Sequence, residues 1–98
     1  MYTNLGNAYK RLGRSEEAIK AYSEAVRLNP NYPLGHYNLA TTYEQLGRKT
    51  EALEHYARFL DFAASNPKYE KMVQFAQDRQ RKLMVLGPKT GLLPPARR

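Results

Sequence analysis

The chain has no cysteine, so it forms no disulfide, builds no zinc-thiolate site and carries no thiol nucleophile. Its stability has to come from packing. Nowhere does the sequence reach the roughly 18 consecutive apolar residues that a membrane span requires, and the N-terminus lacks the basic-then-apolar profile of a secretory signal. A cytoplasmic location is the expectation. Histidine is almost as scarce, with only His36 and His55, and no metal-ligand or phosphate-loop spacing surrounds either. No serine sits in a nucleophile motif. Glu16 and Glu17 form a carboxylate pair, but their position directly after Ser15 marks them as first-turn charges that complement a helix dipole. With 98 residues there is room for one small domain and little for a catalytic cleft. The sequence therefore implies no enzyme, no cofactor, no metal site and no small-molecule substrate.

Acid is missing from one end. The net charge of +7 is uneven: residues 1–78 hold ten Lys and Arg against nine Asp and Glu, while residues 79–98 hold six basic residues and no acid. The excess lies on Arg79, Arg81, Lys82, Lys89, Arg97 and Arg98. A nucleic-acid footprint needs a denser run of charge over one face, so these residues read as a solvated helix end, where cations favour the negative pole of the dipole. Nucleic acid is not an expected partner.

What the chain has in abundance is itself. Shifted by 34 residues, Asn4, Leu5, Tyr9, Leu12, Gly13 and Arg14 fall on Asn38, Leu39, Tyr43, Leu46, Gly47 and Arg48. Glu17, Ala18 and Tyr22 fall on Glu51, Ala52 and Tyr56. Within one copy, Tyr2, Leu5, Ala8, Tyr9 and Leu12 recur at three and four residues, as one face of a helix does, and so do Ala18, Ala21, Tyr22, Ala25 and Val26. Between the faces Gly13 supplies a left-handed helix stop. Ser15 is expected to cap the second helix. Each copy reads as a helix–turn–helix hairpin.

This pattern resembles the tetratricopeptide repeat family. The resemblance rests on Tyr2, Leu5, Gly6, Tyr9, Ala18, Tyr22, Ala25 and Pro30 in the first copy. In the second it rests on His36, Leu39, Ala40, Tyr43, Ala52 and Tyr56, and it covers roughly residues 1–67. It implies an all-α fold in which helix–turn–helix repeats stack as a right-handed α-solenoid: two hairpins plus a C-terminal capping helix. The expected units are 1–32 (first repeat, opening mid-turn), 33–66 (second repeat with a longer second helix), 67–86 (capping helix) and 87–98 (basic, proline-rich tail). The second "NP" arrives 37 residues after the first, which is expected to add about one turn to the second repeat's second helix. Because such arrays need about three repeats to bury a continuous core, a C-terminal piece of a longer array is expected.

For the capping helix, Asn66 with Pro67 marks the start, and Tyr69, Met72, Val73, Ala76 and Leu83 form the apolar stripe. Met72, Phe75 and Met84 are expected to pack, and His55 to lie on the surface. In the tail, Leu92 and Leu93 stand between prolines like a short linear ligand.

The resemblance also implies function: protein–protein interaction, with a partner's peptide or loop held in the concave groove lined by the first helix of each hairpin. The candidate groove residues are Asn4, Asn7, Lys10 and Arg11 in the first copy, and Tyr37, Asn38, Thr41, Glu44 and Gln45 in the second. Asn4 and Asn38 occupy the same place one repeat apart, and a carboxamide offers a donor and an acceptor to any peptide unit. This is similar to the asparagine ladder of peptide-binding family members. The carboxylate clamp of heat-shock co-chaperones is not expected, because Thr3 and Phe75 stand where that clamp has cations. The alternative function is self-assembly into a homo-oligomer through exposed repeat edges.

Overall fold

In the computed structural model, which describes residues 2–86, the chain forms five α-helices and one 3-10 turn. The helices are α1 (Tyr2–Arg11), α2 (Ser15–Leu28), α3 (Pro33–Gln45), α4 (Lys49–Ala63) and α5 (Glu70–Leu86); the 3-10 turn, Pro67–Tyr69, leads into α5. No strand occurs among the described residues. Each helix packs on the next: α1 with α2 and α3 with α4 as hairpins, α2 with α3 where the hairpins stack, and α4 with α5. The expected helical-repeat solenoid is the observed fold. The tail, with Leu92 and Leu93, lies outside the described residues.

The turns follow from backbone chemistry. Gly13 and Gly47 have φ of 79° and 78°, the left-handed region where a Cβ costs about 1–2 kcal/mol. That turn lets the Arg14 amide donate back to the Tyr9 carbonyl at 2.8 Å and the Arg48 amide to the Tyr43 carbonyl at 2.9 Å. The expected Ser15 cap does not form. Arg14 occupies the cap position with no side-chain bond, and Ser15 is already the first residue of α2. Asn66 does cap as expected, its Oδ1 accepting from the Lys68 amide at 3.0 Å.

Small residues set how closely the helices approach. A Cβ on Gly6 would stand 2.6 Å from the Tyr22 ring, so α1 and α2 meet only because that position is bare. Ala18, Ala40 and Ala52 are fully buried for the same reason. One apolar cluster joins Ala18, Ile19 and Tyr22 to Leu39 across the hairpin boundary. A second joins Tyr56, Phe59 and Ala63 to Tyr69, Val73, Ala76 and Leu83 of the capping segment. Tyr43 packs against both, which makes it the apolar bridge between them.

Further expectations are corrected. α4 has 15 residues against 14 in α2, so it gains one residue rather than a turn; the Ala64–Ser65 turn takes up the other two extra positions. Phe75 and Met84 do not pack away like Met72 but are 44% and 64% exposed, because the buried stripe of α5 runs through Val73, Ala76 and Leu83 instead. His55 is half-buried rather than on the surface, since its ring meets those of His36 and Tyr43. Of the expected first apolar face, Leu5 and Ala8 within α1 and Leu12 just beyond its end are exposed.

Candidate functional site

Helices α1, α3 and α5 share one side of the stack, and two side-chain contacts tie them in series. Lys10 Nζ on α1 donates to Thr41 Oγ1 on α3 at 2.9 Å. Arg79 on α5 donates to the Glu44 carboxylate on α3. Lys10 and Glu44 stand 34 residues apart and therefore hold the same repeat position. Each reaches forward to the next first helix, one as a cation and the other as an anion.

The tyrosines of the second helices reach the same side. Tyr22 donates its hydroxyl to Asn7 Oδ1, and Tyr56 donates to Glu44 Oε1 at 2.8 Å. Burial, and then the bond to Glu44, push the Tyr56 phenol far above its ordinary range, so it stays a donor. Burial alone lowers the Lys10 ammonium. The hydrogen bond to Glu44 is the main cause that raises the Arg79 guanidinium.

Between α3 and α5 these contacts frame a depression of about 330 Å³ lined by Thr41, Glu44, Gln45, Tyr56, Phe75 and Arg79. The half-buried Tyr37 ring lies 6.0 Å from that of Phe75 and 5.2 Å from that of Phe59. Exposed Phe75 thus presents an apolar surface flanked by an ion pair that is already closed on itself. Such a surface can take an apolar or aromatic side chain, while the closed pair discourages a lone charge from entering.

The nine candidate residues divide by what they already do. Thr41, Glu44 and Gln45 come together around the depression. Asn4, Asn7 and Arg11 are exposed on α1, and Lys10 links that helix to Thr41. Asn7, Lys10, Thr41 and Glu44 are all engaged inside the chain. The carboxamides of Asn4 and half-buried Asn38, by contrast, take part in no side-chain hydrogen bond among the described residues. The Asn38 backbone carbonyl accepts from the Thr41 and Thr42 hydroxyls at 3.1 and 2.7 Å, which stiffens the turn that carries it.

Phe75, expected to pack, and Arg79, expected on a solvated helix end, belong to this side of the stack, as does the Tyr56 hydroxyl. A signal for Arg79 was present. Glu44 is the one acid on α1 and α3, and a lone half-buried carboxylate calls for a cation from a neighbouring element. Phe75 carried no comparable mark, because an aromatic on a capping helix reads as core until the helix's rotation is known.

Comparisons with known proteins agree with this architecture. A family model described as "TPR repeat" matches residues 6–47, and one described as "Tetratricopeptide repeat" matches residues 33–66. Together they run over more than half of the chain. Among solved structures, the crystal structure of PcrH from Pseudomonas aeruginosa is similar with a TM-score of 0.79 and 24% sequence identity; the match covers 85% of this chain and 63% of that one. At that identity the likeness shows the fold. No curated protein matches the sequence.

Proposed function

The chain belongs to the tetratricopeptide repeat family, a family of protein-interaction modules, and from that premise we propose that it takes an extended peptide or loop of a partner protein along α1, α3 and α5. The observation that carries this reading is the contrast among its polar side chains there. Asn7, Lys10, Thr41 and Glu44 are occupied internally, whereas Asn4 and Asn38 repeat in register with carboxamides that are uncommitted among the described residues. Those two would each hydrogen-bond a partner peptide unit, and Phe75 would cover one of its apolar side chains. Arg11, Tyr37 and Gln45 complete the proposed surface.

Magnitudes set the expected affinity. Two neutral hydrogen bonds contribute about 0.5–1.5 kcal/mol each, and covering Phe75 contributes about 1.5–3 kcal/mol. Micromolar binding needs about 8 kcal/mol, so a short peptide gripped only here binds more weakly than that. The test is selection of random displayed peptides on the whole chain, followed by titration of the winners against N4A/N38A and F75A. The proposal expects both variants to lose most of the binding at unchanged helicity. Peptides that bind the asparagine double variant undiminished would remove the ladder role.

A second reading, self-assembly through an exposed repeat edge, has its own observation. Tyr2, Leu5, Tyr9 and Ala21 line an apolar depression of about 230 Å³ on the outer face of the first hairpin, with Leu5 43% exposed. Sedimentation of the chain across a concentration series tests it. Self-association that Leu5→Lys abolishes supports the edge, and a monomer at all concentrations rejects it.

A further inference from the structure

The two histidines, 19 positions apart on α3 and α4, meet nitrogen to nitrogen. His36 Nδ1 lies 3.3 Å from His55 Nδ1, while the ring centroids are 5.5 Å apart with 22° between the planes. The nitrogens are much closer than the centroids, so the rings meet edge to edge and nearly coplanar. His36 is 3% exposed, and its other nitrogen, Nε2, lies 2.8 Å from the Pro30 carbonyl oxygen in the link between α2 and α3. Phe62 flanks His36 at 5.8 Å and Tyr43 flanks His55 at 5.7 Å.

A carbonyl oxygen only accepts, so the proton of neutral His36 sits on Nε2 and its Nδ1 is a bare acceptor. His55 must then present Nδ1–H. The result is a directed chain in which His55 donates to His36 and His36 donates to Pro30. A proton added at His55 Nε2 leaves that chain intact. A second proton could enter only at His36 Nδ1, where it would confront the N–H of His55 at hydrogen-bonding distance. The doubly protonated form of the pair is therefore incompatible with the contact.

We propose that the His36–His55 pair is a proton-operated latch at the hairpin junction, tying α3 and α4 to the Pro30 link when neutral or singly protonated and releasing them when both rings are charged. The surroundings work in the same direction. Burial, and then the neighbouring His36, lower the affinity of His55 for its proton. On α4, Glu54 and Glu51 favour that proton and Arg58 opposes it, both more weakly than burial does. Tyr43 brings a neutral phenol from α3, raised chiefly by burial and then by Glu51, with Glu54 and, from α2, Glu16 adding to this and Arg48 opposing it. Phe62 brings no charge.

The sign follows. In the unfolded chain histidines bind protons near pH 6.5, while the folded contact excludes the form in which both rings are charged. The unfolded state then holds more protons, so stability is full above about pH 6.5 and falls as the pH drops below it. Withholding one proton raises the unfolding constant about tenfold between pH 7.5 and 5.5.

The experiment uses the whole chain labelled with ¹⁵N-histidine. At pH 7.5, long-range ¹H–¹⁵N spectra are expected to show His36 protonated at Nε2 and His55 protonated at Nδ1, the tautomer that a free histidine side chain disfavours. Urea unfolding at pH 7.5 and 5.5 is then compared between wild type and His55→Asn. The asparagine amide can donate to a neutral His36 and turn to accept from a charged one, so the tenfold change should largely disappear in that variant. Two Nε2 tautomers at pH 7.5 would overturn the proposal on the wild type alone, and so would equal pH responses of the two proteins.

Discussion

Tyr22 and Tyr56 hold the same repeat position and donate to different acceptors, a neutral carboxamide in Asn7 and a carboxylate in Glu44. Both phenols are fully buried as residues, so Tyr→Phe removes little but the hydroxyl and its bond. A bond to a neutral group contributes about 0.5–1.5 kcal/mol and one to a charged group about 1.5–3 kcal/mol. Tyr22→Phe should therefore cost about 1 kcal/mol and Tyr56→Phe about 2 kcal/mol. Arg79 moderates the second figure, because the Glu44 carboxylate keeps that partner after the phenol is lost. The cycle is completed with Glu44→Gln, which keeps the shape and removes the charge. In that background Tyr56→Phe should cost no more than Tyr22→Phe does in the wild type, a coupling of about 1 kcal/mol. Urea unfolding followed by far-ultraviolet circular dichroism measures all five proteins. Equal costs for the two tyrosines, or a Tyr56→Phe cost unchanged by Glu44→Gln, would refute the assignment of that bond as charge-assisted.

Other substitutions probe the packing. Gly6→Ala places a Cβ 2.6 Å from the Tyr22 ring and should destabilise by about 1–3 kcal/mol through overpacking, visible as a lower urea midpoint at unchanged slope. Phe59→Ala empties a fully buried site against Tyr37 and Tyr69 and should cost about 3–5 kcal/mol, enough to lower helicity at 25 °C. Asn66→Ala removes the cap on the segment leading to α5; a cost of about 1 kcal/mol is expected, with faster amide exchange at the start of that segment. Disrupting Arg81 and Asp78, an exposed pair one turn apart on α5, should change the unfolding midpoint by less than the error of the measurement.

The architecture was legible because its determinants are local and duplicated. Gly13 and Gly47 mark the turns, Ala18 and Ala52 the close approaches, and Tyr9 and Tyr43 the apolar faces, each at one spacing read twice. Ser15 misled because α2 starts one residue earlier than a serine cap requires: the Arg14 carbonyl already accepts from the Ala18 amide at 3.0 Å, which leaves Ser15 inside the helix. The polar side was less legible. Residue identity placed Lys10 and Glu44 there, but whether they face a partner or the next helix of the stack depends on how hairpins stack, which no single-hairpin periodicity encodes. Phe75 and His55 failed for a related reason: burial of a residue on a terminal or junction helix is set by the rotation of that helix against its neighbour.

The forward contacts of Lys10 to Thr41 and of Glu44 to Arg79 give the stack an order of assembly. Chemically the two steps are not interchangeable. A tandem duplication of the second hairpin would set the Glu44 carboxylate of one unit against the Thr41 hydroxyl of the next, and only the last unit would find Arg79. Grafting α5 directly behind the first hairpin would bring Lys10 toward Arg79, cation against cation. The modules share a shape but carry distinct addresses, so rearranged versions of this chain should fold less well than their near-identical outlines suggest.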